Sequence, residues 1–153
     1  MWLRTICWVA MTKDRPYSAL VQRLKSAGLR PTRQRLALAK LLFEAPGGCD
    51  RHITAEQLHA EAVADNVRVS LATIYNSLHQ FTEAGLLREV VVESGRSYFD
   101  TNVTDHHHFY YEDSGRLHDI PGDLVQLESL PTPPEGARVA RVDVIIRLNE
   151  SGE

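Results

Sequence analysis

Cysteine is scarce in this chain of 153 residues: Cys7 and Cys49 are the only two, far apart and without CxxC spacing. That excludes a disulfide framework and argues against a cysteine zinc cage. Long apolar runs are lacking as well. The opening stretch from Met1 to Met11 is apolar, with Trp2, Leu3, Ile6, Trp8 and Val9, but it is too short to span a bilayer and shows no convincing small-residue cleavage site. The chain therefore reads as cytoplasmic, with no membrane partner. Met11-Thr12-Lys13 offers an alternative translational start, and residues 1–15 read as an N-terminal extension. There is no internal repeat, low-complexity tract, Gly-rich phosphate loop, HExxH pair or visible nucleophile–base pair. A small zinc hydrolase, or any other enzyme, is not indicated.

What is present is an ordinary globular composition, 43% apolar and 24% charged, in a length that holds one domain or two small ones. Two short domains gain stability from a shared interface, which favours a homodimer. The net charge of -3 hides an asymmetry. Between residues 15 and 40 stand Arg15, Arg23, Lys25, Arg30, Arg33, Arg35 and Lys40 with no acid among them. Such a block suits a phosphate-facing surface, because each neutralised phosphate releases condensed counterion; a solvated helix face accounts for it equally well.

Apolar periodicity predicts helices over Tyr17 to Ala27 and Arg33 to Ala45, stopped by Gly28 and by Pro46-Gly47-Gly48. Thr54-Ala55-Glu56-Gln57 reads as a capping box opening a helix that carries Leu58 and Val63. Ser70 reads as the N-cap of the next helix, where Leu71, Ile74, Leu78 and Phe81 form the apolar stripe. Three helices in succession fit a helix-turn-helix. Leu86 to Val92 and Arg96 to Asp100 then read as a hairpin around Glu93-Ser94-Gly95, which makes the unit a winged helix over residues 16–102. Residues 103–150 read as a small α/β domain. Its strands are His106 to Glu112, Leu117 to Ile120 and Val139 to Leu148, the last with Val142, Val144 and Ile146 on one face, and its short helix lies within Pro121 to Leu130. The fold class expected is α+β.

The sharpest chemical signal is Asp105-His106-His107-His108-Phe109. Side chains alternate along a strand, so His106 and His108 share a face and His107 points away. Asp100 lies upstream on the wing strand, Asp119 on the neighbouring strand, and His52 in the first domain. Imidazole with carboxylate suits Fe(II), Mn(II) or Zn(II), while the lack of thiolate argues against a soft or iron–sulfur site. On the fourth helix, Ser70 and Thr73 are placed to contact phosphate at the helix N-terminus. Tyr75, beside Ile74 and off the apolar stripe, is expected to be exposed. Arg33 and Arg35 are either backbone contacts or a solvated face.

Several stretches together resemble the ferric-uptake-regulator superfamily: Gly28-Leu29-Arg30-Pro31-Thr32-Arg33-Gln34-Arg35, His52-Ile53-Thr54-Ala55-Glu56-Gln57-Leu58, Leu71-Ala72-Thr73-Ile74-Tyr75-Asn76-Ser77-Leu78, and Tyr98-Phe99-Asp100 followed by His106-x-His108. The resemblance runs in order across roughly residues 17–150. It implies a dimeric transcription regulator of iron homeostasis, of the repressor type, whose winged helix binds double-stranded operator DNA. Tyr75 and Asn76 match residues that face bases in that family, and Arg30 matches one that reaches the minor groove. The paired CxxC motifs of the family's structural zinc are missing, since Tyr111 and Ser114 occupy the first pair, so no structural zinc is expected. Something like Val142 stands where a histidine of an additional metal site is found. The triple histidine and missing cysteines look most like the iron response regulator branch, which implies haem bound through His106, His107 and His108; the cysteine-proline haem motif of some members is absent, since Trp8 follows Cys7. The alternative implied is a peroxide-, manganese- or iron-sensing relative, in which His52, Asp100, His106, His108 and Asp119 hold a divalent metal.

Overall fold

The computed structural model describes residues 17–48 and 50–150, so the expectations on residues 1–15, Cys7 and Cys49 lie outside the described residues. The chain divides between Val103 and Thr104 into two units, each with its own architecture.

The first unit is built on four helices, α1 (Ser18–Ser26), α2 (Arg33–Phe43), α3 (Ala55–Ala64) and α4 (Leu71–Glu83). Each of the last three starts on a side-chain cap, of which the sequence reading had named Thr54 and Ser70. Thr32 accepts the Arg35 amide, Thr54 and Gln57 form the reciprocal capping box, and Ser70 accepts the Thr73 amide. At the other ends, Gly28 and Gly85 take left-handed φ values of 79° and 76°, which lets Leu29 and Leu86 donate back to Leu24 and Phe81 and closes α1 and α4. Leu24, Leu38, Leu58, Ile74, Leu78 and Phe81 are fully buried and join these helices into one core. At roughly 1.5–3 kcal/mol for each large apolar side chain buried, this core rather than helix propensity holds the unit together.

The wing consists of β2 (Arg88–Glu93) and β3 (Arg96–Asp100), turned at Gly95 and shifted in register between Val91 and Glu93. A two-residue strand absent from the sequence reading, β1 (His52–Ile53), pairs with the far side of β3, giving the order β1-β3-β2. So short a strand needs external support. Arg51 supplies it through a bidentate ion pair with Glu61 at 2.6 and 3.2 Å and a bond to the Leu41 carbonyl, while its backbone exchanges bonds with Thr101.

The second unit is a three-stranded sheet, ordered β5-β4-β6, from β4 (His106–Tyr111), β5 (Arg116–Pro121) and β6 (Ile145–Leu148). β4 and β5 form an antiparallel hairpin; β6 lies parallel to β4.

Several expectations are corrected. The helix sought within Pro121 to Leu130 shrinks to a 3-10 turn over Gly122–Leu124, beside which the Asp105 carbonyl passes so closely that a Cβ on Gly122 would sit 3.0 Å from it. The final strand starts at Ile145, which leaves Val139, Val142 and Val144 outside it, and Ile146 and Val139 are exposed. Val63, noted with Leu58 on the third helix, is 59% exposed, and Ala62 beside it is buried in the core. Leu71 at the start of α4 is half-exposed. Among the described residues, no helix is long and apolar enough to cross a membrane.

Candidate metal centre and nucleic-acid interface

Strand alternation sorts the histidines of β4. His106, His108 and Tyr110 are buried on one face, and His107, Phe109 and Tyr111 are half-buried on the other. Antiparallel register places Asp119 of β5 directly opposite His108, on the same face. The result is a convergence of three donors: His106 Nε2 and His108 Nε2 are 3.0 Å apart, and each is 3.4 Å from Asp119 Oδ1.

The far nitrogen of His106 shows how this cluster is prepared. His106 Nδ1 lies 2.6 Å from the Thr104 carbonyl, which can only accept, so Nδ1 carries the proton. In neutral His106 the inward Nε2 then carries a lone pair. A backbone carbonyl that fixes the tautomer from behind is the usual outer support of a metal-ligating histidine. A lone pair, a second imidazole and a carboxylate gathered in a buried place form a donor set that a divalent cation fits. His107 is arranged the opposite way. Its Nδ1 accepts the Val144 amide at 3.1 Å, which leaves the proton on Nε2 when the ring is neutral. The three histidines named as one haem set therefore fall into a buried pair and a separate residue that anchors the entry to β6.

In the first unit, His52 and Asp100 are register partners across β1 and β3, with His52 Nε2 3.1 Å from Asp100 Oδ2. Asp100 is fully buried, and its Oδ1 accepts the Asn102 amide at 2.8 Å. Arg88, also buried, is its register partner on the other side, a position that the hairpin pattern gave no reason to single out.

The candidate DNA-reading residues lie at the start of two helices. On α4, Asn76 is exposed and Tyr75 is 37% exposed; Ser70 and Thr73 share a hydroxyl–hydroxyl bond of 2.9 Å in the first turn. Neither α2 nor α4 has an acid in its first turn, so the positive end of each helix dipole is uncompensated. Arg30 and Arg33 are exposed at the start of α2.

The rest of the basic block is partly committed elsewhere. The Arg23 guanidinium lies 3.8 Å from the centroid of the Phe43 ring, and burial lowers its pKa although Asp50 acts in the opposite sense. Lys40 sits 5.6 Å from the Tyr17 ring centroid. Arg35 joins the Arg30 carbonyl at 3.0 Å to Gln80 Oε1 on α4 at 2.7 Å, so it braces α2 against α4, a role neither of its two sequence readings included.

Two further residues escaped the sequence. Glu56 accepts a 2.6 Å hydrogen bond from the Tyr75 hydroxyl, and His79 stacks on the Tyr75 ring one turn along α4. The i, i+4 spacing of Tyr75 and His79 was the available signal; the link from α3 to α4 had none. In the second unit, the positions of the first missing CxxC serve Arg116, which lies over the Tyr111 ring and donates to Ser114 Oγ.

A winged helix followed by a histidine-bearing β unit is the fold of a DNA-binding domain joined to a small dimerisation domain, as the α+β expectation holds. The sequence matches the ferric uptake regulator family over residues 26–146, and the chain belongs to that family. It is 33% identical over 97 residues to the peroxide-responsive repressor PerR of Staphylococcus aureus, 63% of each chain, and 36% identical over 84 residues to the ferric uptake regulation protein of Bordetella parapertussis, 55% of this chain and 58% of that one. These matches span about three-fifths of the relatives' length. Among solved structures, the Vibrio cholerae ferric uptake regulator superposes with a TM-score of 0.65 at 26% identity, over 85% of this chain and 98% of that one. The ferric uptake regulator of Pseudomonas aeruginosa with manganese has the same fold, with a TM-score of 0.62 at 22% identity over 86% and 97%.

Proposed function

We propose that this chain is a dimeric transcription regulator that binds operator DNA through α4 and the start of α2, with its DNA affinity set by a divalent metal. His106, His108 and Asp119 are its ligands in the second unit; His52 and Asp100 are proposed as those supplied by the first. The observation that carries this reading is the His106 tautomer: the Thr104 carbonyl holds the proton outward, so a lone pair faces His108 and Asp119. When bound, the ion supplies a compact double positive charge that draws nitrogen and carboxylate donors together. On this reading metal occupancy and DNA affinity are thermodynamically linked, and the linkage is reciprocal. The relatives' names support a metal- or peroxide-responsive regulator of this kind.

Haem, the signal implied by likeness to the iron response regulator branch, fits this geometry less well. Its ligands would come from His106 and His108, both buried, or from His107, whose Nδ1 is taken by the Val144 amide and whose Nε2 carries the proton in the neutral form. Parallel titration with Mn(II), Fe(II), Zn(II) and haem separates the two. Stoichiometric metal binding that is lost in His106→Ala and His108→Ala supports the divalent-metal reading. A Soret shift that disappears in the triple-alanine variant of His106, His107 and His108, with no metal uptake by the wild type, overturns it in favour of haem.

A further inference from the structure

Tyr75 is held at both ends. Its hydroxyl donates to Glu56 Oε1 at 2.6 Å, and its ring is stacked on His79, with centroids 6.5 Å apart and planes inclined by 24°. His79 in turn stands edge-on to Phe99 of the wing, with centroids 5.8 Å apart. Glu56 occupies the first turn of α3, where the helix dipole favours its charge. The carboxyl is held below its ordinary pKa by the Tyr75 bond first, then by a backbone bond; Tyr75 is held above its own by the same partner. The phenolic proton is thus committed to Glu56.

A hydroxyl whose only proton is taken can offer a base nothing but lone pairs, and beyond them the apolar edge of its ring. In the major groove, adenine N6 and cytosine N4 present donors, and thymine presents a methyl group beside its O4 acceptor. Guanine presents only the acceptors N7 and O6. We infer that Glu56 is a positioning residue for base reading: by holding the Tyr75 hydroxyl it makes the tyrosine discriminate against guanine at the base edge it faces. This rests on the DNA-binding reading above.

The test is selection from a duplex pool with a randomised core, in Mn(II), using the full chain. The Tyr75→Ala variant identifies the position whose preference flattens. There the wild type disfavours guanine by about fivefold, the worth of one net hydrogen bond. In Glu56→Ala the freed hydroxyl can donate to O6 or N7, and guanine rises to parity at that position alone. Glu56→Gln, whose amide oxygen still accepts, restores the discrimination. The Tyr75 phenol titrates at lower pH in Glu56→Ala than in the wild type, a change that a purely structural role would not produce. Glu56 is exposed, so the alanine variant is expected to melt like the parent. If the wild type enriches no duplex, the DNA-binding reading fails and this inference with it. If it enriches duplexes but guanine stays excluded in Glu56→Ala, or Tyr75→Ala changes no position, DNA binding stands and the inference is overturned.

Discussion

His106 Nε2 faces His108 Nε2 across 3.0 Å on one side of β4, and each nitrogen reaches Asp119 Oδ1 at 3.4 Å. Strand alternation and hairpin register alone bring the three together, so the cluster is built into the sheet rather than into a loop. His106→Ala, His108→Ala and Asp119→Asn are each expected to weaken Mn(II) binding by more than the tenfold to hundredfold typical of losing an outer support. Calorimetric titration measures this. His107→Ala, on the other face, is expected to leave affinity within a few-fold of the wild type.

On the proposed DNA-binding reading, salt dependence should separate the basic residues by role. Arg30→Ala and Arg33→Ala should each lower the slope of log K against log salt by about one. Arg23→Ala should leave the slope alone, because that guanidinium is stacked on Phe43. Anisotropy titrations over a range of salt concentrations distinguish the two groups.

The helical core gives a stability prediction. Leu78 is fully buried among α1–α4, and Leu78→Ala is expected to cost about 2–5 kcal/mol. Thr54→Ala, which breaks the capping box, is expected to cost about 1 kcal/mol. Denaturant unfolding of the full chain reads both.

The Glu56–Tyr75 bond has a defined pH window. Glu56 is shifted down, so its contribution is present above the ordinary carboxylate range and is lost as pH falls through the lowered pKa. Tyr75 is shifted up, so its contribution is present below the ordinary tyrosine value of about 10 and is lost as pH rises through the raised one. Both groups are near the surface, and the effect on stability is small. Carbon NMR titration of the two side chains should show both displacements, and Tyr75→Phe should return Glu56 towards its ordinary value.

Local chemistry made much of this molecule legible in advance. Thr54, Gln57 and Ser70 announce helix starts through side chains that can reach their own amides, and the period-two rule separated His107 from its neighbours. Long-range pairing was hidden. β1 is two residues long and exists only because β3 receives it and Arg51 ties it to Glu61 and Leu41. The parallel docking of β6 on β4 likewise gives Ile145–Leu148 a strand conformation, whereas the apolar alternation from Val139 onward wrongly promised a longer one. Glu56 looked like part of a cap, and its bond to Tyr75 depends on how α3 meets α4.

Fluorescence anisotropy of labelled operator DNA, measured with Mn(II) and with chelator for the wild type and the His106→Ala/His108→Ala double variant, is the most direct examination of the metal-controlled reading. Wild-type affinity should rise with metal by roughly 5- to 150-fold, the usual range of coupling between two sites, while the double variant stays at the chelated level. An affinity indifferent to metal, or a metal response that survives in the double variant, would contradict it.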